Sequence, residues 1–356
     1  MFLKFTCIPR TLDFKFEAGT SRGVLTSRNT WWIKAEATSH PGRIGWGEAA
    51  PLVKLSVDAI PDFDVQIRQL LKDFEKIDFV TDQEAVLAQI QELVPVHLPA
   101  FRFGLEMAIL DLIHGGKKRF FQNDFFEKGQ AIPINGLIWM GDKEFMRSQI
   151  DSKIKKGFSC IKMKIGAIDF EEEMNLLRYI RSAYGAEDLV LRVDANGAFS
   201  PAEALGKLEK LASLAIHSIE QPIRAGQVAE MARLCQESPL PIALDEELIG
   251  VSDKSRLLDQ IKPQHIILKP TLVGGFLETR EWIGLAEERG IGWWMTSALE
   301  SNIGLNAIAQ LASSYQPTIP QGLGTGQLYH NNLSSPLLIA KGEIRYDGSI
   351  PWEEPS

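Results

Sequence analysis

Cysteine is scarce in this chain of 356 residues: Cys7, Cys160 and Cys235 are far apart, odd in number and without a Cys-x-x-Cys spacing. That count argues against a disulfide framework or a cysteine-rich metal site and fits a reducing compartment. Long apolar runs are missing too, since none approaches the roughly 20 residues needed to span a bilayer. There is no basic excess. Lys and Arg number 38 against 46 Asp and Glu, the net charge is −8, and no cluster or stripe of cations stands out. A general nucleic-acid binder is disfavoured on that ground. The six histidines show no metal-ligand spacing, and low-complexity linkers are absent. The first residues, "MFLKFTCIPRTLDFKF", alternate as a strand does and lack a signal peptide's apolar core. The expectation is a soluble, cytoplasmic protein without nucleic-acid or membrane partners, its oligomeric state left open.

What the chain does have divides into two textures. "LKFTCIPRTLDFKF" and "TWWIKAEATS" read as antiparallel strands, and the glycines and Pro51 of "GRIGWGEAAPL" suggest a turn and loop. From Asp62 to His114 apolar residues recur at three- and four-residue spacings, the helical signature, ending at Gly115-Gly116. Residues 1–125 therefore read as an α+β domain. From Ala131 onward short apolar runs alternate with amphipathic segments: "AIPINGLIW", "SCIKMKIG", "LVLRVDANG", "IHSIEQPI", "IALDEEL", "HIILKP", "GWWMTSALE" and "QGLGTG". The repeat is about 25 to 30 residues, one strand plus one helix, which indicates an α/β barrel over 126–334, although spacing alone separates barrel from open sheet poorly. The tail, 335–356, has a strand-like "GEIRY" and is expected to return to the first domain.

Charges fall in phase with that repeat. Lys162 and Lys164 end the second strand, Asp194 the third, Glu220 the fourth, Asp245 the fifth and Lys269 the sixth, at intervals from Lys164 of 30, 26, 25 and 24 residues. Lys162 and Lys164 point to one face of their strand, and by themselves they could be no more than its wet side. Five strand ends in phase point instead to one rim, since charges on barrel strands are costly except at the carboxyl-terminal mouth. Three carboxylates with no clustered histidine or thiolate suit a hard cation, Mg²⁺. A lysine beside such a cation loses its proton more readily and can act as a base next to a carboxylate.

The ordered set "KMK", "RVDANGAF", "IEQP", "ALDEEL" and "ILKP" resembles the enolase superfamily, and specifically its muconate-lactonizing-enzyme subgroup. "RGVLTSRNTWWIKAEA", "GWGEAAPL" and "RFGLEMAILDL" resemble that superfamily's capping domain, so the likeness covers nearly the whole chain. It implies a modified TIM barrel, (β/α)₇β, with an α+β capping domain. It also implies Asp194, Glu220 and Asp245 as Mg²⁺ ligands (Mn²⁺ as a substitute), Lys164 and Lys269 flanking a small carboxylate substrate, and Lys162 tuning Lys164. The lysine-plus-Mg²⁺ pairing is the superfamily's own pattern, carried over with the resemblance. "TSALESNIGLNAIAQLAS" and "GLGTGQLYHNNL" resemble the o-succinylbenzoate synthase family of menaquinone biosynthesis, which are lyases. That likeness implies substrate contacts from Ser297, Glu300, Gly322 and Leu323. Dipeptide epimerases and N-acylamino acid racemases of the same subgroup are the alternative.

Single residues keep their plainer readings. Asn196 serves either the metal site or the "DANG" turn. Glu246 is either hydrogen-bonded toward Lys269 or structural. "GLGTG" is a weak signal for an anion cradle. Trp293-Trp294 read as barrel packing. Gly19–Arg28, "GTSRGVLTSR", reads as a polar loop closing over the mouth; its Arg22 either meets a substrate carboxylate or is merely exposed.

Overall fold

The computed structural model describes residues 1–20 and 23–355. Its amino-terminal part is an antiparallel sheet of β1 (Leu3–Thr20), β2 (Gly23–Ala37) and β3 (Ile44–Ala49), accompanied by α1 (Phe63–Phe74), α2 (Gln83–Leu93) and α3 (Pro99–Ile113). Helix α3 is apolar on nearly every side and almost wholly buried, as a helix packed between two layers must be.

Two sequence expectations change here. "GRIGWGEAAPL" is not a loop, because its Ile44–Ala49 is β3, paired with β2. Its glycines answer to helix packing: a Cβ on Gly45 would stand 2.0 Å from the Ala108 carbonyl oxygen, and one on Gly47 1.9 Å from that of Gly104. Only glycine lets α3 lie this close to the strand. Gly19–Arg28 is mostly strand as well. The β1–β2 ladder, after a register shift between Asp13 and Ala18, runs on to Thr20 and Gly23. Arg22, the residue singled out in that segment, lies outside the described residues.

After α4 (Asp124–Lys128) and the short β4 (Ile132–Pro133) comes the alternating part. It runs β5 (Gly136–Ile138), α5 (Lys143–Lys155), β6 (Cys160–Lys164), α6 (Phe170–Ala183), β7 (Val190–Asp194), α7 (Pro201–Ala212), β8 (Ser218–Glu220) and α8 (Val228–Glu237). It continues with β9 (Ile242–Leu244), α9 (Lys254–Ile261), β10 (His265–Leu268), α10 (Pro270–Val273), α11 (Phe276–Glu287), β11 (Gly292–Met295) and α12 (Asn302–Ser313). Strands β5 to β11 make one parallel sheet in chain order. Two residues close it. Gln321 bridges Ile134 beside β5, and Gly322 bridges Thr296 beside β11. Asn135 N donates to Gln321 O (2.9 Å), and Gly322 N donates to Met295 O (2.8 Å). The eighth strand of this (β/α)₇β barrel is thus only a pair of residues.

The tail forms a hairpin, β12 (Leu337–Ala340) and β13 (Glu343–Tyr346), and β13 pairs with β4. Phe126 meets Tyr346 with ring centroids 4.7 Å apart, so the tail rests on the segment that leads into the barrel. Inside the barrel, beneath the mouth, the Arg192 guanidinium lies 4.0 Å from the Trp294 ring centroid and donates to Pro320 O (2.7 Å). Trp294 is therefore barrel packing. Among the described residues no helix is long and apolar enough to cross a membrane.

Candidate active site

Strand register brings the charged residues together. Lys164, Asp194 and Glu220 are direct neighbours across β6, β7 and β8, so their side chains leave the same face, the barrel interior. Lys162, two residues earlier on β6, shares it. Asp245 and Lys269 each follow the last residue of their strand, β9 and β10. All six are between 1% and 9% exposed, which removes the wet-face reading of the lysine pair. In an eight-membered ring the strands carrying Lys164 and Lys269 are the second and the sixth, and these stand diametrically opposite.

Buried ions must be paired, because an uncompensated one costs several kcal/mol. Here each lysine answers a carboxylate. Lys162 Nζ donates to Glu220 Oε2 (2.6 Å) and Asp194 Oδ2 (3.3 Å). Lys164 Nζ donates to Asp194 Oδ2 (2.8 Å) and Asn196 Oδ1 (2.7 Å). Lys269 pairs with Asp245 and stands 3.8 Å from Glu220 Oε1. Burial draws Lys162 toward neutrality, but Glu220 and Asp194 more than offset it and raise its pKa above the ordinary lysine value. Burial likewise opposes Lys269, and Asp245 and Glu220 outweigh it. Asp194, despite burial, is held below the usual carboxylate range by Lys164 and Lys162. Glu220 is pushed up to about 7 by burial and then by Asp194, against Lys162. Burial raises Asp245 against the pull of Lys269.

Asn196 takes the turn role and also touches the charged cluster. Its φ of 43° is the left-handed value of a turn, and its side chain joins Lys164 to Glu246, donating to Glu246 Oε1 (3.1 Å). Glu246 also acts on Lys269 through its charge.

A cavity of about 480 Å³ opens above these groups. Lys162, Lys164, Asp194, Asn196 and Lys269 line it, while Glu220 and Asp245 sit behind the ammonium groups. Of the expected substrate contacts, Ser297 and Gly322 line it. Glu300 does not, because it is fully buried and accepts from Thr271 Oγ1 and from Ser297 Oγ (2.5 Å). Leu323 does not either, since alternation turns it away from Gly322 into the main core. Sequence reasoning missed Asn135 and Thr296, and saw Thr325 only as part of the Gly-Leu-x-Thr pattern that begins at Gly322. Each lines the cavity with a buried side-chain oxygen that has no hydrogen-bond partner among the described residues. It also missed the apolar wall lent by the first domain, which includes Phe16, Leu25, Leu52 and Leu55. Phe16 and Leu25 lie beside and within the Gly19–Arg28 segment, which was the nearest sequence signal for that wall, whereas Leu52 and Leu55 lie well beyond it.

Asp194, Glu220 and Asp245 offer only hard oxygens, and buried Glu220 Oε1 accepts no hydrogen bond among the described residues. That chemistry fits a divalent cation such as Mg²⁺. Among the described residues no three acidic, histidine or cysteine groups stand close enough to hold an ion as they are, because Lys162 and Lys269 lie between the carboxylates. A cation loaded here would compete with Lys162 and Lys269 for the carboxylate oxygens.

Comparison with known proteins agrees with this architecture. Residues 146–348 match the model of the enolase C-terminal domain-like family. The o-succinylbenzoate synthase of Desulfotalea psychrophila is 49% identical over 354 residues, covering 93% of this chain and 95% of that protein. The crystal structure of MenC from Desulfotalea psychrophila LSv54 superposes with a TM-score of 0.86 at 44% identity, covering 97% of this chain and all of that one. The L-Ala-D/L-Glu epimerase of Bacillus subtilis shares the fold, with a TM-score of 0.84 at 21% identity over 98% and 97% of the two chains. The chain belongs to the enolase C-terminal domain-like family of the enolase superfamily, and within it is similar to the o-succinylbenzoate synthases.

Proposed function

We propose that the chain is a Mg²⁺-dependent carbon–oxygen lyase of menaquinone biosynthesis. It would convert 2-succinyl-6-hydroxy-2,4-cyclohexadiene-1-carboxylate to o-succinylbenzoate. The observation that carries this reading is the placement of Lys164 and Lys269, buried on opposite sides of one cavity with three carboxylates between them. Asp194, Glu220 and Asp245 would hold Mg²⁺, or Mn²⁺ in its place. When bound, the cation supplies positive charge where the substrate carboxylate becomes electron-rich.

The rest is work for the chain's own groups. Lys164 Nζ, as the free amine, takes the proton from the ring carbon that bears the carboxylate. The C–H electron pair passes into the carboxylate, giving an enediolate, and the Lys269 ammonium faces that charge from the opposite wall. Lys164, now protonated, returns its proton to the departing hydroxyl on the same face; the C–O bond breaks, water leaves and the ring becomes aromatic. Asp194 and Asn196 aim Lys164 through the contacts of 2.8 and 2.7 Å. Lys162 holds Asp194 and Glu220 in place, and Glu300 fixes the Ser297 hydroxyl at the cavity wall. The apolar wall from the first domain excludes water from the rest of the substrate. We place the protein in the cytoplasm, where its three free cysteines would stay reduced.

The opposed lysines favour a second reading as well, an epimerase or racemase of N-acylated amino acids or dipeptides with one lysine as base and the other as acid. Assaying dehydration and N-succinyl amino acid racemisation side by side decides between them. Dehydration supports the first reading, and racemisation without dehydration overturns it.

A further inference from the structure

Three separate stretches wall the cavity away from the lysines: Gly23 to Leu25 on β2, Leu52 to Leu55 after β3, and Ser297 to Leu299 after β11. One side chain ties them together. Arg28, on β2 and 5% exposed, reaches across both gaps. Its Nη1 donates to the carbonyls of Ala298 (2.5 Å) and Leu299 (2.6 Å). Its Nη2 donates to the carbonyl of Ala50 (2.6 Å) and, at 3.4 Å, to that of Pro51. A planar guanidinium has the fork geometry for such a set, whereas an ammonium is a point charge that cannot span it.

The loop held in this way is strained. Leu299 has a φ of 68°, a left-handed value rare for a leucine, and such a conformation lasts only where neighbours over-determine it. Its carbonyl also accepts from Tyr329 Oη (2.6 Å), and its N–H donates to Ser297 Oγ (3.0 Å). The far end of the loop is fixed from the same side of the molecule. Glu48 on β3 accepts from Ser301 N (2.8 Å) and Gly304 N (2.9 Å) at the start of α12.

We infer that Arg28 is a positioning residue that sets the width of the cavity between the capping domain and the seventh-strand loop, and thereby which acid fits beside Ser297. It touches no reacting atom and acts through the main chain of Ala298, Leu299 and Ala50. The inference relies on the proposed reaction only for the identity of the acid.

The test uses Arg28→Met, Arg28→Lys and Tyr329→Phe in the full chain, read by hydrogen exchange of peptides covering 50–55 and 297–301 and by steady-state kinetics. Arg28→Met should speed exchange about ten-fold or more in both segments at once, with peptides from β6 to β8 unchanged. It should also raise KM about ten-fold while kcat stays within about three-fold, the pattern of lost ground-state fit. Arg28→Lys should fall between wild type and Arg28→Met, and Tyr329→Phe should move KM the same way by about three-fold. Faster exchange in one segment alone or in neither, or a fall in kcat at unchanged KM, overturns the inference. If Arg28→Met does not fold, Arg28→Lys and Tyr329→Phe decide it by the same readouts. A wild-type protein that dehydrates nothing sinks the proposed reaction, and the exchange experiment still decides the clamp.

Discussion

Lys162 Nζ stands 2.6 Å from Glu220 Oε2 and 3.3 Å from Asp194 Oδ2, one ammonium holding two buried carboxylates. With Lys269 doing the same for Asp245 and Glu220, the site is close to charge-balanced without a cation. Treatment with a chelator should therefore abolish turnover while leaving the far-ultraviolet circular dichroism unchanged. Restoring Mg²⁺ to a hundredfold excess over its Kd should add about 2.7 kcal/mol of stability by mass action. Thermal unfolding with and without the chelator checks both.

Lys162→Met removes that bridge and leaves Asp194 and Glu220 facing each other in a dry interior. Breaking a buried pair by deleting one partner costs about 3–5 kcal/mol, so the chelated variant should lose that much in urea unfolding. Added Mg²⁺ should recover more stability in this variant than in wild type, because the ammonium closest to Glu220 no longer competes for its oxygens.

A second dependence comes from the joint between the two domains. Glu106 on α3 is fully buried, accepts from Phe276 N at the start of α11 (2.6 Å), and has its pKa pushed up to about 8 by burial. In the unfolded chain a glutamate titrates near ~4.3. The folded state thus holds the extra proton between these values, and Glu106's contribution is full at low pH and lost as pH rises through about 8. Glu106→Gln should keep the packing and flatten the fall in stability between pH 6 and 9, as measured by denaturant unfolding at both.

Much of the site was legible because a βα repeat has a nearly constant length, so charges in phase along the chain become neighbours around a ring. Lys164, Asp194 and Glu220 are in register for that reason. The pairing of Lys162 with two carboxylates was not legible, since strand period gives a face but not the reach of a side chain. Glycine misled in one place: Gly45 and Gly47 read as a turn, yet they exist for the close approach of α3. The eighth strand is recognisable only by its two bridges, which no periodicity can announce. Arg28 sat within a polar stretch that looked like open loop, and its burial depends on carbonyls more than 20 and about 270 residues away.

The most direct measurement is turnover of 2-succinyl-6-hydroxy-2,4-cyclohexadiene-1-carboxylate by wild type and Lys164→Ala with Mg²⁺ present, beside racemisation of an N-succinyl amino acid. The account predicts dehydration by wild type and a loss of about 10²- to 10⁴-fold or more in kcat for Lys164→Ala, the range of a missing general base. Unchanged turnover in Lys164→Ala, or wild-type racemisation with no dehydration, would contradict it.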